Sequence, residues 1–296
     1  MIADGGMGTQ LQSFDLTLDD MAGLDGCNEI LNVTRPDVVA EIHRRYFAAG
    51  SDAVETNTFG ANLSALGEYG IAESIRELAE AGARIARGVA DSFEGDGRPR
   101  FVLGSMGPGT KLPSLGHVTY AALRDGYQAC AEGLLAGGVD GFIVETCQDL
   151  LQAKAAIVGA KRAMAASGAD LPIVASVTVE TTGTMLMGSE IGAALTALEP
   201  LGVDVIGMNC ATGPGEMREH LRHLSRHARA GLGCMPNAGL PVLTADGAYY
   251  PLTPQELRDA LVAYSADYGL CLVGGCCGTT PEHIRLVAEA LRDREL

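Results

Sequence analysis

The sequence lacks the features of exported and membrane-spanning proteins. It contains no run of about 18 apolar residues, so we predict no transmembrane helix. The N-terminal segment MIADGGMGTQ has neither a basic region nor an apolar region of signal-peptide type, so we predict no secretory signal. Basic residues are scarce, with 21 Lys and Arg against 37 Asp and Glu, and the net charge of −16 repels phosphate backbones and anionic lipid. We therefore expect no nucleic-acid partner and no membrane partner.

Several common cofactor and metal motifs are also missing. No G-x-G-x-x-G follows the first predicted strand, which argues against a dinucleotide-binding fold, and neither H-E-x-x-H nor C-x-x-C occurs. Glycine is abundant, at 39 of 296 residues, but it has no triplet period, which excludes a collagen-like chain. The excess of glycine instead indicates many tight junctions between strands and helices.

Short apolar segments alternate along the chain with amphipathic segments of helical period. The predicted strands are Met1–Ala3, Asp52–Glu55, Phe101–Ser105, Phe142–Glu145, Ile173–Val179, Val205–Asn209, Leu232–Met235 and Cys271–Gly274. Continuous apolar strands separated by helices are typical of parallel sheets. We therefore predict an α/β fold, a closed (β/α)8 TIM barrel that forms a single domain over residues 1–296. A doubly wound open sheet is the alternative.

The amphipathic segments predict one helix after each of the eight predicted strands. They are Pro36–Ala49, Ala72–Ser92, Tyr120–Leu135, Leu150–Ala166, Gly192–Leu198, Glu216–Ala228, Pro254–Tyr264 and Pro281–Leu291. Thr34, Thr253 and Thr280 stand just ahead of three of these helices and are predicted to cap them.

The cysteine content favours an intracellular protein with reactive or metal-binding thiols. There are eight cysteines, but a chain of this size does not need disulfides to fold and nothing indicates export, so we expect the cytoplasm. In that compartment clustered cysteines more often bind metal or take part in chemistry. Cys130, on a helix, and Cys271, in a strand, are expected to pack as small apolar side chains.

Unusual polar and glycine residues follow the carboxyl ends of six predicted strands. They are Asp4, Gly5, Glu55, Thr56, Asn57, Glu145, Thr146, Asn209, Cys210, Pro236, Asn237, Gly275, Cys276 and Cys277. In a parallel barrel all these ends face one rim, which is where barrel enzymes hold their active sites. The convergence predicts one site built from distant segments.

Three of these residues suggest a metal site. Cys276 and Cys277 are adjacent in a glycine-flanked turn, and Cys210 lies 66 residues earlier. Three thiolates from neighbouring strand ends could meet one Zn²⁺ at about 2.3 Å each, and three protein ligands leave the fourth position open, as in catalytic zinc sites. The alternative is a buried cysteine pair that holds no metal.

An open zinc site with three thiolates suits thiol chemistry better than hydrolysis. The centre would carry a net negative charge and would polarise a carbonyl only weakly. It could still bind a substrate thiol and remove its proton at neutral pH, and the bound thiolate would stay nucleophilic. The predicted reaction is S-alkylation of a thiol substrate.

Several segments together resemble the homocysteine-binding domain shared by homocysteine S-methyltransferases and cobalamin-dependent methionine synthases. They are DGGMGTQLQ (Asp4–Gln12), ETNTFGAN (Glu55–Asn62), Glu145-Thr146, MNCATGP (Met208–Pro214), PNAGLP (Pro236–Pro241) and GGCCGTTPEHI (Gly274–Ile284). They span nearly the whole chain. The resemblance implies a zinc-dependent TIM barrel that transfers a methyl group to homocysteine, giving methionine.

The resemblance assigns zinc to Cys210, Cys276 and Cys277, with the homocysteine thiolate in the fourth position. Asn237 could supply an oxygen that fills this position when substrate is absent; a turn-forming asparagine is the alternative.

The same resemblance assigns the amino-acid end of the substrate. Asp4 and Glu145 would pair with the α-ammonium group, although capping of the following helix is an alternative role for both. Glu55 would help to bind the amino end. Backbone N–H groups around Gly5, Gly6 and Thr56 could hold the carboxylate.

The motifs PNAGLP and NCATGP favour the cobalamin-dependent branch, in which methylcobalamin donates the methyl group. The implied partners are corrinoid-binding and folate-binding modules, in cis or in trans. The chain is expected to be either a stand-alone subunit or one domain of a longer protein. The alternatives are a methyltransferase that uses S-methylmethionine or S-adenosylmethionine, and a non-enzymatic zinc- or thiol-binding module.

Overall fold

A computed structural model describes residues 1–93, 95, 97–244 and 247–292 of the chain. Its strands are β1 Ala53–Glu55, β2 Phe101–Met106, β3 Gly141–Cys147, β4 Ile173–Val177, β5 Val205–Asn209, β6 Gly231–Met235, β7 Val242–Thr244, β8 Gly247–Tyr249 and β9 Leu270–Val273. Seven of them form one parallel sheet in the order β1-β2-β3-β4-β5-β6-β9, so strands that are adjacent along the chain are also neighbours in the sheet. The remaining two, β7 and β8, pair antiparallel as a separate hairpin.

Helices follow the strands of the parallel sheet, as the sequence pattern predicts. They are α1 Met7–Leu11, α2 Leu31–Thr34, α3 Pro36–Ala49, α4 Leu63–Glu68, α5 Ile75–Asp91, α6 Tyr120–Gly137, α7 Leu150–Ser167, α8 Ile191–Leu198, α9 Pro214–His227, α10 Pro254–Tyr268 and α11 Pro281–Arg292. Every predicted helix is confirmed, with its ends shifted by a few residues. No helix in the described part of the chain is both long enough and apolar enough to cross a membrane.

The predicted cap at Thr253 is confirmed, and the one at Thr280 stays a prediction. The Thr253 side chain accepts the Glu256 N–H while the Glu256 carboxylate accepts the Thr253 N–H, so a full capping box starts α10. The predicted cap at Thr34 is wrong, because this residue ends the short helix α2 and its hydroxyl donates to Ile30 O at 3.1 Å. Helix α3 starts without a side-chain cap, at Pro36.

The predicted first strand, Met1–Ala3, forms a single parallel bridge between Ile2 and Val273 rather than a full strand. Backbone hydrogen bonds nevertheless place this segment between β9 and β1. Ala3 N–H donates to Val273 O at 2.7 Å, and Ala53 N–H donates to Ile2 O at 3.1 Å. The structure is therefore a curled seven-stranded parallel sheet whose two edge strands are bridged by the N-terminal segment, not a barrel of eight full strands.

Buried side chains form two clusters, one on each face of the curled sheet. The smaller cluster takes one residue from the N-terminal segment and one from each of six strands: Ala3, Ala53, Leu103, Ile143, Val174, Met235 and Leu272. Because side chains from non-neighbouring strands meet in this cluster, it fills the inside of the curl. The larger cluster lies between the sheet and the helices. The filled interior leaves the ends of the strands as the place for a site.

Two further features of the fold differ from the sequence-based expectations. The hairpin of β7 and β8, between β6 and α10, is not predicted by the apolar pattern. Cys271 is exposed rather than packed, because alternation along β9 turns the neighbouring Leu272 into the sheet interior and Cys271 outward. The predicted single domain, residues 1–296, includes 293–296, which lie outside the described residues.

Candidate metal and substrate site

A cavity of about 330 Å³ opens at the carboxyl end of the parallel sheet. Eight of the ten predicted site residues line it: Gly5, Gly6, Glu55, Thr56, Glu145, Cys210, Cys276 and Cys277. The other two, Asp4 and Asn237, are buried but are not among the residues lining the cavity. The structure thus brings together segments that are up to 270 residues apart in the chain, because parallel strands all end at the same rim.

Three cysteine side chains meet at this cavity. Cys210 directly follows β5, while Cys276 and Cys277 follow β9 after two glycines. The three Sγ atoms all lie within 4.8 Å of one another, and the Sγ atoms of Cys210 and Cys277 are 3.8 Å apart. All three side chains are half-buried, so their sulfurs face the cavity rather than the core.

The spacing of the thiols fits a tetrahedral metal site. Zn–S bonds of about 2.3 Å at tetrahedral angles place two sulfurs roughly 3.8 Å apart. The Cys210–Cys277 separation matches this value without rearrangement. Thiolate ligands select soft or borderline ions such as zinc, and three of them leave one of four positions open. Among the described residues, Cys210, Cys276 and Cys277 form the one group of three or more Cys, His, Asp or Glu side chains whose ligand atoms lie close enough together to hold a metal ion.

A strained turn presents Cys210 to the other two thiols. The φ angles of Cys210 and Ala211 are +61° and +56°, in the left-handed region that costs about 1–3 kcal/mol for residues other than glycine. Hydrogen bonds hold the turn: Cys210 N–H donates to Met235 O at 3.3 Å, and Thr212 N–H donates to Cys210 O at 2.6 Å. The surrounding strands therefore maintain a conformation that the isolated segment would avoid.

Protons are shared unequally among the thiols. Hydrogen bonds from Cys210 and Cys276, with a further one from Tyr250, lower the pKa of Cys277 to about 3. Hydrogen bonding to Cys210 and to Cys277 and burial raise the pKa of Cys276 well above its usual value. Negative charge is thus concentrated on Cys277, which prepares the cluster for a cation.

Tyr250 is a site residue that the sequence analysis missed. It follows the β7–β8 hairpin and lines the cavity beside the thiols. Burial and the neighbouring Cys277 raise the pKa of Tyr250 to about 12, so its hydroxyl stays protonated and can donate to the sulfur. Gly278 makes this packing possible, since a Cβ there would lie 2.2 Å from Tyr250 Cγ and its φ is +78°. No sequence motif marked the tyrosine.

Asn237 supports the loop that carries the metal-site thiols. Its Oδ1 accepts the Cys277 N–H at 3.1 Å, and the next residue, Ala238, donates its N–H to Cys277 O at 2.9 Å. Cys276 N–H donates to Pro236 O at 2.9 Å. The structure therefore shows Asn237 in the turn-holding role that was the alternative, and its role as a fourth metal ligand stays a prediction.

Two carboxyl groups line the cavity close to each other. Burial raises the pKa of Glu55 well above its usual range, and the neighbouring Glu145 charge adds to this effect. Burial also raises the pKa of Glu145, whose Oε1 accepts the Ser105 hydroxyl at 2.6 Å. The described lining residues include no Lys, Arg or His. The cavity therefore holds two carboxyl groups without a cation of its own, and an incoming ammonium group would favour the ionised form of a carboxyl group beside it.

Asp4 lies beneath the carboxyl pair rather than in the cavity. Its two carboxylate oxygens accept the Glu55 N–H at 3.2 and 3.1 Å, so it holds the end of β1 in place. Burial raises the pKa of Asp4, and the nearby Glu145 adds a smaller like-charge effect. The Asp4 carboxylate contacts the backbone that carries Glu55, and its pairing with a substrate ammonium group stays a prediction.

The predicted N–H groups for a substrate carboxylate are largely occupied. Gly6 N–H donates to Thr279 Oγ1 at 3.1 Å, and Thr56 N–H donates to Leu103 O at 2.9 Å. Strand register and a loop contact thus use these two N–H groups in this structure, and the role of the N–H groups around Gly5, Gly6 and Thr56 toward a substrate carboxylate stays a prediction. Gly5 is tightly enclosed, since a Cβ there would lie 2.5 Å from Thr279 Oγ1.

Asn209 was placed at a strand end by the sequence analysis but was given no role. It is buried, and its side chain lies between Glu145 and Cys276. The signal was its position directly before Cys210, at the end of β5. Cys130, Cys147 and Cys234 are buried away from the cluster, as small core residues.

Comparison with known proteins identifies the relatives of this chain. The family model described as Homocysteine S-methyltransferase matches residues 1–291. Over 291 residues the chain is 67% identical to methionine synthase of Mycobacterium tuberculosis and 65% identical to methionine synthase of Mycobacterium leprae. Each match covers 98% of this chain but 24% of the relative. The chain thus spans about a quarter of the length of these curated relatives.

Solved structures share the fold at low sequence identity. The metallated form of the homocysteine methyltransferase MmuM from Escherichia coli superposes with a TM-score of 0.78 at 22% identity, covering 98% of this chain and 96% of that protein. Its apo form gives a TM-score of 0.73 at 21% identity, with 98% and 95% of the two chains covered. These likenesses establish the fold.

Proposed function

The chain belongs to the homocysteine S-methyltransferase family, and on this premise we propose that it binds homocysteine and transfers a methyl group to its sulfur, giving methionine. The observation that carries the proposal is one cavity that holds three clustered thiols and a pair of buried carboxyl groups. The thiols suit a zinc ion that takes the substrate sulfur, and the carboxyl pair suits the α-ammonium group.

The carboxyl groups divide the binding work between them. Ser105 and Asn209 each donate a hydrogen bond to one of the Glu145 oxygens, and donated hydrogen bonds favour the ionised form of a carboxyl group. We therefore assign Glu145 as the ionised member of the pair and Glu55, whose pKa is raised by burial and by the Glu145 charge, as the protonated member. We expect ionised Glu145 to accept the substrate ammonium, because charge-assisted hydrogen bonds in a buried site are stronger than neutral ones.

Cys210, Cys276 and Cys277 would hold the zinc ion, and Asn237 would fix the turn that carries two of them. When bound, zinc lowers the pKa of the substrate thiol so that homocysteine reacts as a thiolate. The homocysteine sulfur then forms a bond to the methyl carbon while the bond from that carbon to the donor breaks, and the electron pair of that bond stays with the donor. The three thiols line the cavity and are partly exposed, so a donor could reach a sulfur held beside them.

The fold is part of the proposal. The N-terminal segment Met1–Ala3 bridges β9 and β1, and its Ala3 joins the interior layer of side chains. We assign it as the eighth member of a closed (β/α)8 barrel, with the chain forming one homocysteine-binding domain.

Methylcobalamin is the methyl donor that we propose. The proposal is supported by the 67% identity to a methionine synthase about four times as long as this chain. The additional length of that relative is enough for corrinoid- and folate-binding modules, which would act in cis. Large apolar side chains are exposed on segments that follow the carboxyl ends of strands, with Phe59 after β1, Leu186 after β4, and Leu243 and Tyr249 in the hairpin after β6. Such side chains suit contact with a donor-carrying module. Reduced thiols at the site fit the cytoplasm as the compartment.

A donor panel with the purified protein tests this function. The zinc content is measured first, and methionine formation from homocysteine is then followed with methylcobalamin, S-methylmethionine and S-adenosylmethionine in turn. Turnover with methylcobalamin is the expected result. Turnover with another donor alone would overturn the donor assignment, and zinc binding without homocysteine binding or any turnover would favour a non-enzymatic zinc-binding module.

A further inference from the structure

The Asn209 side-chain amide connects the two halves of the cavity. Asn209 ends β5 and is 1% exposed. Its Nδ2 donates to Glu145 Oε2 at 3.2 Å and lies 3.9 Å from Cys276 Sγ, within hydrogen-bond range for sulfur. One nitrogen atom thus touches both the carboxylate assigned to the substrate ammonium and a thiol assigned to the metal.

The orientation of this amide is fixed by its other partners. Thr146 N–H and the Ser176 hydroxyl both donate to Asn209 Oδ1, each at 2.8 Å. Asn209 Nδ2 also donates to Thr146 Oγ1 at 2.7 Å. A backbone N–H requires an oxygen and a carboxylate requires a donor, so rotating the amide by 180° would break contacts on both sides.

Hydrogen bonds also hold the backbone next to the Asn209 amide, at Thr146 and at Asn209 itself. Thr146 has a φ of +54°, a strained conformation for a β-branched residue, and the Asn209 amide contacts both its N–H and its hydroxyl. The Thr178 hydroxyl donates to Asn209 O at 3.1 Å. Glu145, Asn209 and Cys276 therefore form a rigid path from the amino-acid end of the cavity to the metal end.

We propose that Asn209 is a positioning residue that fixes the spacing between the Glu145 carboxylate and the thiol cluster, and thereby selects homocysteine over cysteine. The inference rests on the proposed function. A substrate held by its ammonium at one end and its sulfur at the other must match the distance between the two groups. Cysteine is one methylene shorter, so it reaches both groups only if one of them can move.

The test compares chain-length selectivity in the zinc-loaded wild-type protein and in Asn209→Ala. Calorimetric titrations give the dissociation constants of homocysteine and cysteine, and the zinc content is checked after each titration because free cysteine can chelate the ion. We expect the ratio of cysteine to homocysteine dissociation constants to fall at least tenfold in Asn209→Ala. General loosening of the fold would weaken both ligands together and leave the ratio unchanged.

Thr178→Val is the matched control, since it removes one buried hydrogen bond to the same residue but leaves the side-chain amide in place. Its ratio should stay at the wild-type value. Asn209→Asp is the second variant, because it keeps the oxygen acceptor but loses the Nδ2 donor, and it answers the same question if Asn209→Ala does not fold. Its ratio should fall as well.

A cobalt-substituted sample adds a spectroscopic readout. Each thiolate bound to Co²⁺ contributes charge-transfer absorption, so titration with either amino acid reports whether its sulfur reaches the metal. We expect cysteine to change the spectrum more in Asn209→Ala than in wild type, relative to homocysteine. An unchanged ratio and an unchanged spectrum in both Asn209 variants would overturn the inference. Absence of homocysteine binding by the wild-type protein would instead overturn the proposed function.

Discussion

Cys130 and Cys277 are the same residue type in two opposite environments. Cys130 lies on α6 in the core, 1% exposed, and burial raises its pKa to about 12. Cys277 lies at the rim, where neighbouring thiols and Tyr250 donate hydrogen bonds that lower its pKa to about 3. Burial alone makes a thiol an inert apolar side chain, whereas clustering at the strand ends makes it a candidate metal ligand. Substitutions in the core are therefore expected to change stability, and substitutions at the rim are expected to change metal or substrate binding.

Removing a rim thiol should have the largest effect. Cys277→Ser deletes one of three ligands, so we expect the protein to lose its bound zinc, from about one equivalent per chain to near zero after dialysis. Cys130→Ser should keep the zinc and lose about 1 kcal/mol of folding stability. Metal analysis and urea unfolding measure the two results. Stoichiometric zinc in Cys277→Ser would remove this thiol from the ligand set.

His43 is a titratable residue of the core. The two nitrogens of its buried ring lack hydrogen-bond partners in the described residues. Burial lowers its pKa from 6.5 to about 4. Between these values the unfolded chain binds a proton that the folded protein excludes, so His43 costs no stability above pH 6.5 and progressively more as the pH falls towards 4. The full effect is about 3 kcal/mol.

The measurement is the difference in unfolding free energy between wild type and His43→Leu at pH 7 and at pH 4. Titrating groups elsewhere act in both proteins and cancel. Wild type should lose about 3 kcal/mol more than the variant on acidification. Equal losses in the two proteins would show that this ring is not held neutral.

Glu145→Gln separates the two ends of the rim. The variant removes the charge assigned to the substrate ammonium but no thiol, so homocysteine should bind about 10- to 100-fold more weakly while the zinc content stays unchanged. Calorimetry measures the affinity. The opposite pattern, with zinc lost and homocysteine affinity retained, would contradict the assignment of the carboxylate to the amino end.

The smallest effect is expected for Tyr250→Phe. It removes one hydroxyl donor to Cys277 without removing a ligand, which should weaken zinc binding by about two- to tenfold. Competition with a chromophoric chelator reports the change. Tyr249→Phe, on the exposed neighbour, is the control and should bind zinc like wild type.

The sequence predicted the seven strands of the parallel sheet, the helices and most residues of the rim because apolar periodicity and chain position both survive in a single sequence. It did not predict which N–H groups were free, as Gly6 and Thr56 show, because these depend on strand register and loop contacts. The role of Asn209 depends on the alignment of three strands, and that of Tyr250 on a hairpin without a strong apolar pattern. Contacts of this kind have no local signature.

The bridge between Ile2 and Val273 has a consequence for the order of folding. The two partners stand at opposite ends of the described chain, and Cys276 and Cys277 come only after β9. During synthesis, Cys276 and Cys277 leave the ribosome after all seven strands of the parallel sheet. Contacts of such long sequence separation form late. We therefore expect the three thiols to come together only after β9 has joined the sheet, so that a nascent chain truncated before β9 exposes Cys210 without its two partner thiols.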